Sequence, residues 1–242
     1  MKLLYSNILP LGIEDNQQTI QDCFTEYAAQ ADRIEIAVGY TSASSIIELG
    51  TMAAKFGIKA ICLTIGMYYT EGMPEKIYHT ALKMNQTWHR SGIGEIRLTT
   101  PFKYHGKLYC FYKNAQPFAA IIGSANLSAI KLEASNRRQY EISALTTTPA
   151  EVSDIAEHIE KLKDSSCSAN IAEIHRIPLI HEINTALNGI ELVTSIPPSN
   201  VAFYKQCAPT VSFFLPLKVP LSAERHLDDG RHFTKSNINV CY

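Results

Sequence analysis

The stretch from Tyr104 to Ser128 constrains the fold more than any other part of the sequence, because it predicts one β-hairpin with polar residues at its open end. An apolar and aromatic run from Leu108 to Tyr112 forms the first strand. Residues 113–117 form the predicted turn, and the small apolar residues from Phe118 to Ile122 return. The segments that flank the two strands are therefore expected to lie side by side.

Four polar side chains stand at that open end. His105 and Lys107 are two apart and are expected to project to the same face of the first strand, which opens with them. Pairing about the turn brings Ser124 and Asn126 back beside them. An imidazole is a nucleophile and acid near neutral pH, and an ammonium with neutral donors suits the oxygens of a phosphate. The hairpin therefore predicts a site for phosphate chemistry.

Strands and helices alternate before the hairpin, and one more of each follows it. This order predicts an α/β fold with a mixed, mostly parallel sheet flanked by helices. The predicted strands are 2–5, 33–40, 59–65, 95–99 and 140–147, and the predicted helices are 17–30 (capped by Asp15 or Asn16), 44–56, 74–90 and 149–164. Residues 165–168 are predicted to form a break.

The six cysteines are widely spaced, without a Cys-x-x-Cys pair, which argues against a zinc site and for reduced cytoplasmic thiols. No Glu, His or Asp group has the spacing of metal ligands, so we predict no metal and no cofactor. No apolar run approaches the roughly 20 residues of a membrane helix, and no signal peptide is evident. We therefore expect a cytoplasmic protein that does not use a membrane.

Charge is concentrated around the hairpin although the formal net charge of the chain is only −1. Between residues 97 and 138, seven lysines and arginines stand against Glu133 alone. Such a basic region attracts a polyanion. For any single lysine or arginine, the alternative is an ordinary solvated side chain.

The combination of His105-x-Lys107 with Gly123-Ser124-x-Asn126 resembles the motif of the phospholipase D superfamily. Tyr112 stands where that superfamily often has an aspartate, which argues against its lipid-cleaving members. The segments IAVGYTS at residues 36–42 and SFFLPLKVPLS at 212–222 make the chain similar to the NgoFVII-type restriction endonucleases.

This resemblance implies a phospholipase-D-like nuclease domain, which we place at residues 1–170. Residues 171–242 are expected to form a helical and extended linker towards a C-terminal DNA-recognition domain beyond this sequence. The implied activity is that of a metal-independent type II restriction endonuclease. Its implied partners are double-stranded DNA and a cognate methyltransferase of the same restriction system.

The resemblance also implies a mechanism with two His-x-Lys motifs, whereas this chain has one. A symmetric homodimer would supply the second copy. His105 of one chain would then form a phosphohistidine while His105 of the other protonates the leaving oxygen. Lys107, Ser124 and Asn126 would bind the phosphate oxygens. The family also places a glutamate after the motif to orient the histidine, for which Glu141 is favoured over Glu133.

Two alternative functions remain at this point. The first is a phospholipid head-group hydrolase or transferase built on the same core. The second is a non-catalytic nucleic-acid-binding module in which the hairpin is only scaffold. Cleavage without metal would separate a nuclease from a binding module, and substrate preference would separate it from a lipid enzyme.

Overall fold

The computed structural model describes residues 1–131 and 139–180 of the chain. Five α-helices and ten strands are found there. The strands are β1 (Lys2–Tyr5), β2 (Arg33–Val38), β3 (Ala60–Ile65), β4 (Met73–Pro74), β5 (Gly94–Thr99), β6 (Leu108–Lys113), β7 (Gln116–Gly123), β8 (Ile142–Thr146), β9 (Ser168–Asn170) and β10 (Leu179–Ile180). The helices are α1 (Ile20–Ala28), α2 (Ala43–Phe56), α3 (Tyr68–Glu71), α4 (Glu75–Ser91) and α5 (Pro149–Leu162), with a 3₁₀ turn at Leu127–Ile130.

Eight strands form one sheet in the order β1-β8-β7-β6-β2-β3-β5-β9. The α/β class is confirmed, but the prediction of a mostly parallel sheet is wrong. Only β2–β3 and β3–β5 pair in parallel, and the other five pairs are antiparallel. Helical crossovers return the chain in the same direction, whereas the hairpin inserts between β2 and β8 and reverses it. A separate parallel pair joins β4 and β10.

The parallel half is built by helices with clear end signals. Helix α2 begins with a capping box between Ser42 and Ser45, and it ends at Gly57, which adopts the left-handed conformation that glycine tolerates best. Helix α4 begins directly after Pro74 and ends at Gly92. Both helices pack on the same face of the sheet.

The predicted hairpin is confirmed, with a tighter turn. Lys113 pairs with Gln116, so the turn is only Asn114-Ala115, and both residues have positive φ as a two-residue hairpin turn requires. Strand β7 therefore begins before Phe118. The residues from His105 to Lys107 lie just outside β6, not within the strand as predicted, and Gly123 N donates to Lys107 O across the open end.

Two apolar layers cover the sheet. The larger core packs α1, α2 and α4 against one face and includes Phe24, Leu49, Trp88 and Phe111, all buried. The smaller core lies on the other face, where α5 covers part of β6 and β7. Side chains alternate between the two faces along β6, and Leu108 faces α5. Lys107, one residue earlier, therefore lies on the side of the larger core.

Several predicted boundaries differ from the structure. Helix α1 starts after Thr19, whose side chain accepts from Asp22 N, so neither Asp15 nor Asn16 caps it. The last residue of the predicted break at 165–168 is the first residue of edge strand β9, which pairs with β5. The predicted linker falls mostly outside the described residues, and the boundary at residue 170 stays a prediction. None of the helices in the described part of the chain is long and apolar enough to cross a membrane.

Candidate active site

A cavity of about 570 Å³ opens where β2 ends and the open end of the β6–β7 hairpin meets it. All five predicted site residues line this cavity. The lining residues are Tyr40, Thr41, Ser42, His105, Lys107, Ser124, Asn126, Ser128, Gln139 and Glu141. The structure therefore brings together in space what the sequence spreads over a hundred residues.

Lys107 lies at the centre of this group of polar residues. Its Nζ lies 3.0 Å from Nδ1 and 3.2 Å from Nε2 of His105, and it donates to the backbone oxygen of His105 at 2.8 Å. Because the two ring distances are so similar, the ammonium lies beside the imidazole, not in line with one nitrogen. Lys107 is almost fully buried, whereas His105 is exposed to the cavity. The lysine is therefore well placed to hold the imidazole near an incoming anion.

The backbone behind His105 leaves little room for rearrangement. A Cβ atom at Gly39 would lie 3.1 Å from Cδ2 of His105, so the absence of a side chain there lets the ring pack against the end of β2. The ring of Tyr40 meets the imidazole edge-on at a centroid distance of 6.0 Å. The imidazole is thus supported from the parallel half of the sheet.

Asn126 is oriented by the same segment. Its Oδ1 accepts a hydrogen bond of 3.0 Å from the backbone N–H of Tyr40. An amide that accepts through its oxygen presents its two N–H donors on the other side. The side chain thereby becomes a positioned donor in the cavity wall.

Ser124 and Glu141 form a second pair on the hairpin side. The Ser124 hydroxyl donates to Oε2 of Glu141 and also accepts from the backbone N–H of Ile142 at 3.1 Å. Glu141 is fixed from behind, because its backbone N–H donates to Ser6 Oγ at 2.9 Å. Within the described residues the Glu141 carboxylate thus bonds to Ser124, and its proposed action on His105 stays a prediction. Glu133 lies outside the described residues.

Burial and charge act on Lys107 in opposite directions. Burial lowers the pKa of its ammonium from the ordinary value of 10.5, and the nearby Glu141 carboxylate partly opposes that change. The net direction is downward. A buried cation without a full counter-charge gains stability when an anion enters the cavity.

The N-terminal end of α2 forms the opposite wall. Thr41 and Ser42 line the cavity just before the helix begins. The positive end of a helix dipole at that position favours a bound anion. The segment IAVGYTS at residues 36–42 therefore ends in the wall of the cavity.

A charged pair at the rim was not predicted. The Tyr40 hydroxyl donates to Oε2 of Glu71, and Lys103 Nζ donates to its Oε1 at 3.0 Å. The hydrogen bond to Glu71 raises the pKa of Tyr40 to about 12, so the phenol stays protonated. Glu71 lies on the short helix α3, which has no sequence signal strong enough to place it beside the cavity.

Two further lining residues, Ser128 and Gln139, were also not predicted. Ser128 closes the Gly-Ser-Ala-Asn-Leu-Ser segment, so its position in the motif was the available signal. Among residues 1–131 and 139–180, no group of three or more His, Cys, Asp or Glu side chains is arranged to hold a metal ion.

The fold and the cavity together define an α/β domain with a preorganised cluster of imidazole, ammonium and neutral donors. The family described as NgoFVII restriction endonuclease N-terminal PLD domain matches residues 18–176, which is most of the chain. The chain belongs to this family of phospholipase-D-like restriction endonuclease domains. A comparison with curated proteins found no match.

Proposed function

We propose that this protein is the catalytic part of a type II restriction endonuclease that hydrolyses DNA phosphodiester bonds without a metal ion. Membership of a restriction endonuclease family supports a nuclease over a lipid enzyme. The observation that carries the proposal is the convergence of His105, Lys107 and Asn126 on one open cavity. An imidazole beside a buried ammonium and an oriented amide suits attack on a phosphodiester.

The reaction proceeds in two displacements at phosphorus. In the first, an imidazole nitrogen of His105 forms a bond to phosphorus, and the bond from phosphorus to one deoxyribose oxygen breaks. That oxygen takes a proton from a second imidazole on the opposite side. In the second, water attacks phosphorus, its proton passes to the second imidazole, and the bond to His105 breaks. Lys107 and Asn126 stabilise the nonbridging oxygens, with Ser124 assisting.

A second chain supplies the second imidazole. In-line displacement needs a nucleophile and an acid on opposite sides of phosphorus, and one His105 cannot occupy both positions. A two-fold axis beside the cavity presents the same cluster from a second copy. The active form is therefore a homodimer with one site formed by two chains. In this arrangement Glu141 supports the cluster through Ser124, with which it shares a hydrogen bond.

The substrate is double-stranded DNA, which suits the basic surround of the hairpin. A cognate methyltransferase protects the host sites, as a restriction system requires. Specificity for a base sequence then resides outside the cavity, whose cluster recognises only phosphate.

Nicking of supercoiled plasmid DNA in excess EDTA tests this proposal. The native chain should nick the plasmid, and His105→Ala should reduce the rate by at least about 10⁴-fold because the nucleophile is lost. His79→Ala is the matched control, since His79 is an exposed histidine on α4 away from the cavity. It should cleave at the native rate.

Cleavage that requires magnesium and proceeds at the native rate in His105→Ala would overturn the mechanism. Hydrolysis of a phospholipid head group in place of DNA would favour the lipid-enzyme alternative. DNA binding by gel shift without cleavage, unchanged in His105→Ala, would favour the binding module.

A further inference from the structure

Tyr40 makes contacts through three different parts of the residue, and each contact leads to a different part of the site. Its backbone N–H donates to Oδ1 of Asn126 at 3.0 Å. Its ring meets the imidazole of His105 at a centroid distance of 6.0 Å and an interplanar angle of 79°. Its hydroxyl donates to Oε2 of Glu71. Tyr40 therefore joins the end of β2 to the residues that flank both strands of the hairpin.

A buried neighbour, Tyr68, fixes the position of Tyr40. The two tyrosine rings meet edge-on at a centroid distance of 5.5 Å and an angle of 71°. The Tyr68 hydroxyl donates to the backbone oxygen of Thr41 at 2.5 Å and accepts from the backbone N–H of Thr41 at 3.2 Å. Because Tyr68 is itself buried, both the ring of Tyr40 and the backbone that follows it have little freedom to move.

Glu71 ties the hydroxyl of Tyr40 to the segment that leads into His105. Its Oε1 accepts from Lys103 Nζ at 3.0 Å, and Lys103 is two residues before His105. Hydrogen bonds from Tyr40 and Lys103 lower the pKa of Glu71, so this carboxylate keeps its charge near neutral pH. Glu71 therefore bridges the end of β2 and the approach to His105.

Lys107 alone does not determine how the imidazole of His105 is turned. Its Nζ lies 3.0 Å from one ring nitrogen and 3.2 Å from the other, so this contact changes little when the ring flips. The torsion that turns an imidazole is also broad, without the sharp minima of an aliphatic side chain. A nucleophile must nevertheless keep one nitrogen aimed at phosphorus, and a misplacement of about 1 Å can slow a reaction about 10²-fold. The orientation of the ring must therefore come from packing, which Tyr40 supplies beside the open face of Gly39.

We infer that Tyr40 is the positioning residue for His105 in the cleavage reaction, and that Glu71 holds Tyr40 in place. The inference rests on the proposed function, in which His105 is the nucleophile. It assigns to Tyr40 and Glu71 a role that Glu141 does not fill directly, because the Glu141 carboxylate bonds to Ser124. If Tyr40 only packed at the end of β2, its replacement would change the stability of the fold and not the order of the imidazole ring.

Single-turnover cleavage of a labelled duplex in EDTA, with the protein in excess, separates the chemical step from binding. Tyr40→Leu removes the ring and keeps the backbone bond to Asn126. The rate at saturation should fall about 10²-fold, whereas the Kd for the duplex should stay within about two-fold of native. Tyr78→Leu is the matched control, because Tyr78 on α4 also contacts a histidine ring, that of His79 at 5.4 Å, away from the cavity. The control should cleave at the native rate.

Two milder variants test the part played by Glu71 and keep the ring of Tyr40. Tyr40→Phe and Glu71→Ala remove the same hydrogen bond, so each should lower the rate at saturation by about 3- to 10-fold. The double variant should lose no more than either single variant, because the two residues act as one unit. Losses that multiply in the double variant would overturn the role of Glu71. Circular dichroism should show native folding for every variant.

Carbon-13 relaxation of the His105 ring measures positioning without DNA. The Cε1 signal is assigned by its absence in His105→Ala, and its order parameter should fall in Tyr40→Leu and stay native in Tyr78→Leu. An unchanged order parameter in Tyr40→Leu overturns the inference, and DNA cleavage by the native chain would then leave the proposed function standing. A lowered order parameter in a chain that does not cleave DNA supports the positioning of His105 by Tyr40 and overturns the proposed function.

Discussion

Two lysines in this domain, the buried Lys107 and the half-buried Lys163, have opposite surroundings. Lys107 contacts an imidazole and a backbone oxygen. Lys163 Nζ instead lies 3.2 Å from Glu35 and 2.8 Å from Glu160, and Arg33 joins both carboxylates. One ammonium is held mainly by neutral groups, and the other belongs to a closed ionic cluster.

The pKa directions follow from these surroundings. Burial lowers the pKa of Lys107, and Glu141 only partly offsets it. Burial would also lower the pKa of Lys163, but Glu35 and Glu160 more than offset that effect and raise it. The contrast shows that a candidate phosphate site is marked by charge that the protein leaves uncompensated, and not by the number of charges.

The largest expected difference is in activity. Lys107→Met should lower the rate of DNA cleavage about 10²–10³-fold, because it removes a preorganised cation from the transition state. Lys163→Met should leave the rate within about two-fold of native, since its charge is used within the fold. Single-turnover cleavage of one labelled duplex measures both. Equal losses in the two variants would contradict the contrast.

Asn126 should contribute less than Lys107, because it is a neutral donor. Asn126→Ala should lower the cleavage rate about 10–100-fold. Asn85→Ala provides a control, as Asn85 is a buried asparagine that bonds Asn170 in the core of the domain. That variant should lose stability and keep the activity of its folded fraction. Retention of full activity by Asn126→Ala would remove Asn126 from the site.

The two lysine substitutions should affect the free energy of unfolding in the opposite order to activity. Lys163→Met should lower the free energy of unfolding by about 1–2 kcal/mol, below the roughly 3–5 kcal/mol of a fully broken buried pair, because Arg33 remains bonded to Glu35. Lys107→Met should be neutral or stabilising, since it removes a buried cation that lacks a full counter-charge. Urea denaturation measures both changes. A larger loss for Lys107→Met would show that its charge is already balanced.

The smallest expected effect is in pH dependence. The folded pKa of Lys107 is lowered from 10.5, so this ammonium loses its proton at a lower pH than an ordinary lysine does. The affinity of the site for phosphate should therefore fall as the pH rises through that lowered pKa. The folded pKa of Lys163 is raised, so its stabilising contribution is complete below pH 10.5 and is lost only at higher pH. Calorimetric titration with inorganic phosphate at a series of pH values up to 10.5 follows Lys107. Lys107→Arg, which keeps its charge throughout, should flatten the profile.

The hairpin could be predicted from sequence because its signals are local. Apolar strands on both sides of an Asn-Ala turn determine the register, and the register brings Lys107 beside Gly123. The relation of Ser124 and Asn126 to the first strand follows directly. The predicted helix at 44–56 likewise agrees with α2 to within one residue, and Gly57 follows its last residue.

Long-range pairing could not be predicted in this way. The alternation of strands and helices indicates crossovers, but it does not show that β6 inserts beside β2 in the antiparallel direction. The bond from Tyr40 to Asn126 joins residues 86 apart in sequence, and that from Arg33 to Glu160 joins residues 127 apart. Neither has a local pattern, so only the folded arrangement distinguishes the open cluster around Lys107 from the closed one around Lys163.

Trapping of the covalent intermediate would show whether His105 is the nucleophile. Duplex DNA carrying an internal ³²P-labelled phosphate would be mixed with the chain in EDTA, quenched with detergent at alkaline pH, and separated by gel electrophoresis. We expect a labelled chain whose phosphate maps to His105, present in His79→Ala and absent in His105→Ala. DNA cleavage by the native chain without any labelled protein, under conditions in which a phosphohistidine survives, would contradict it.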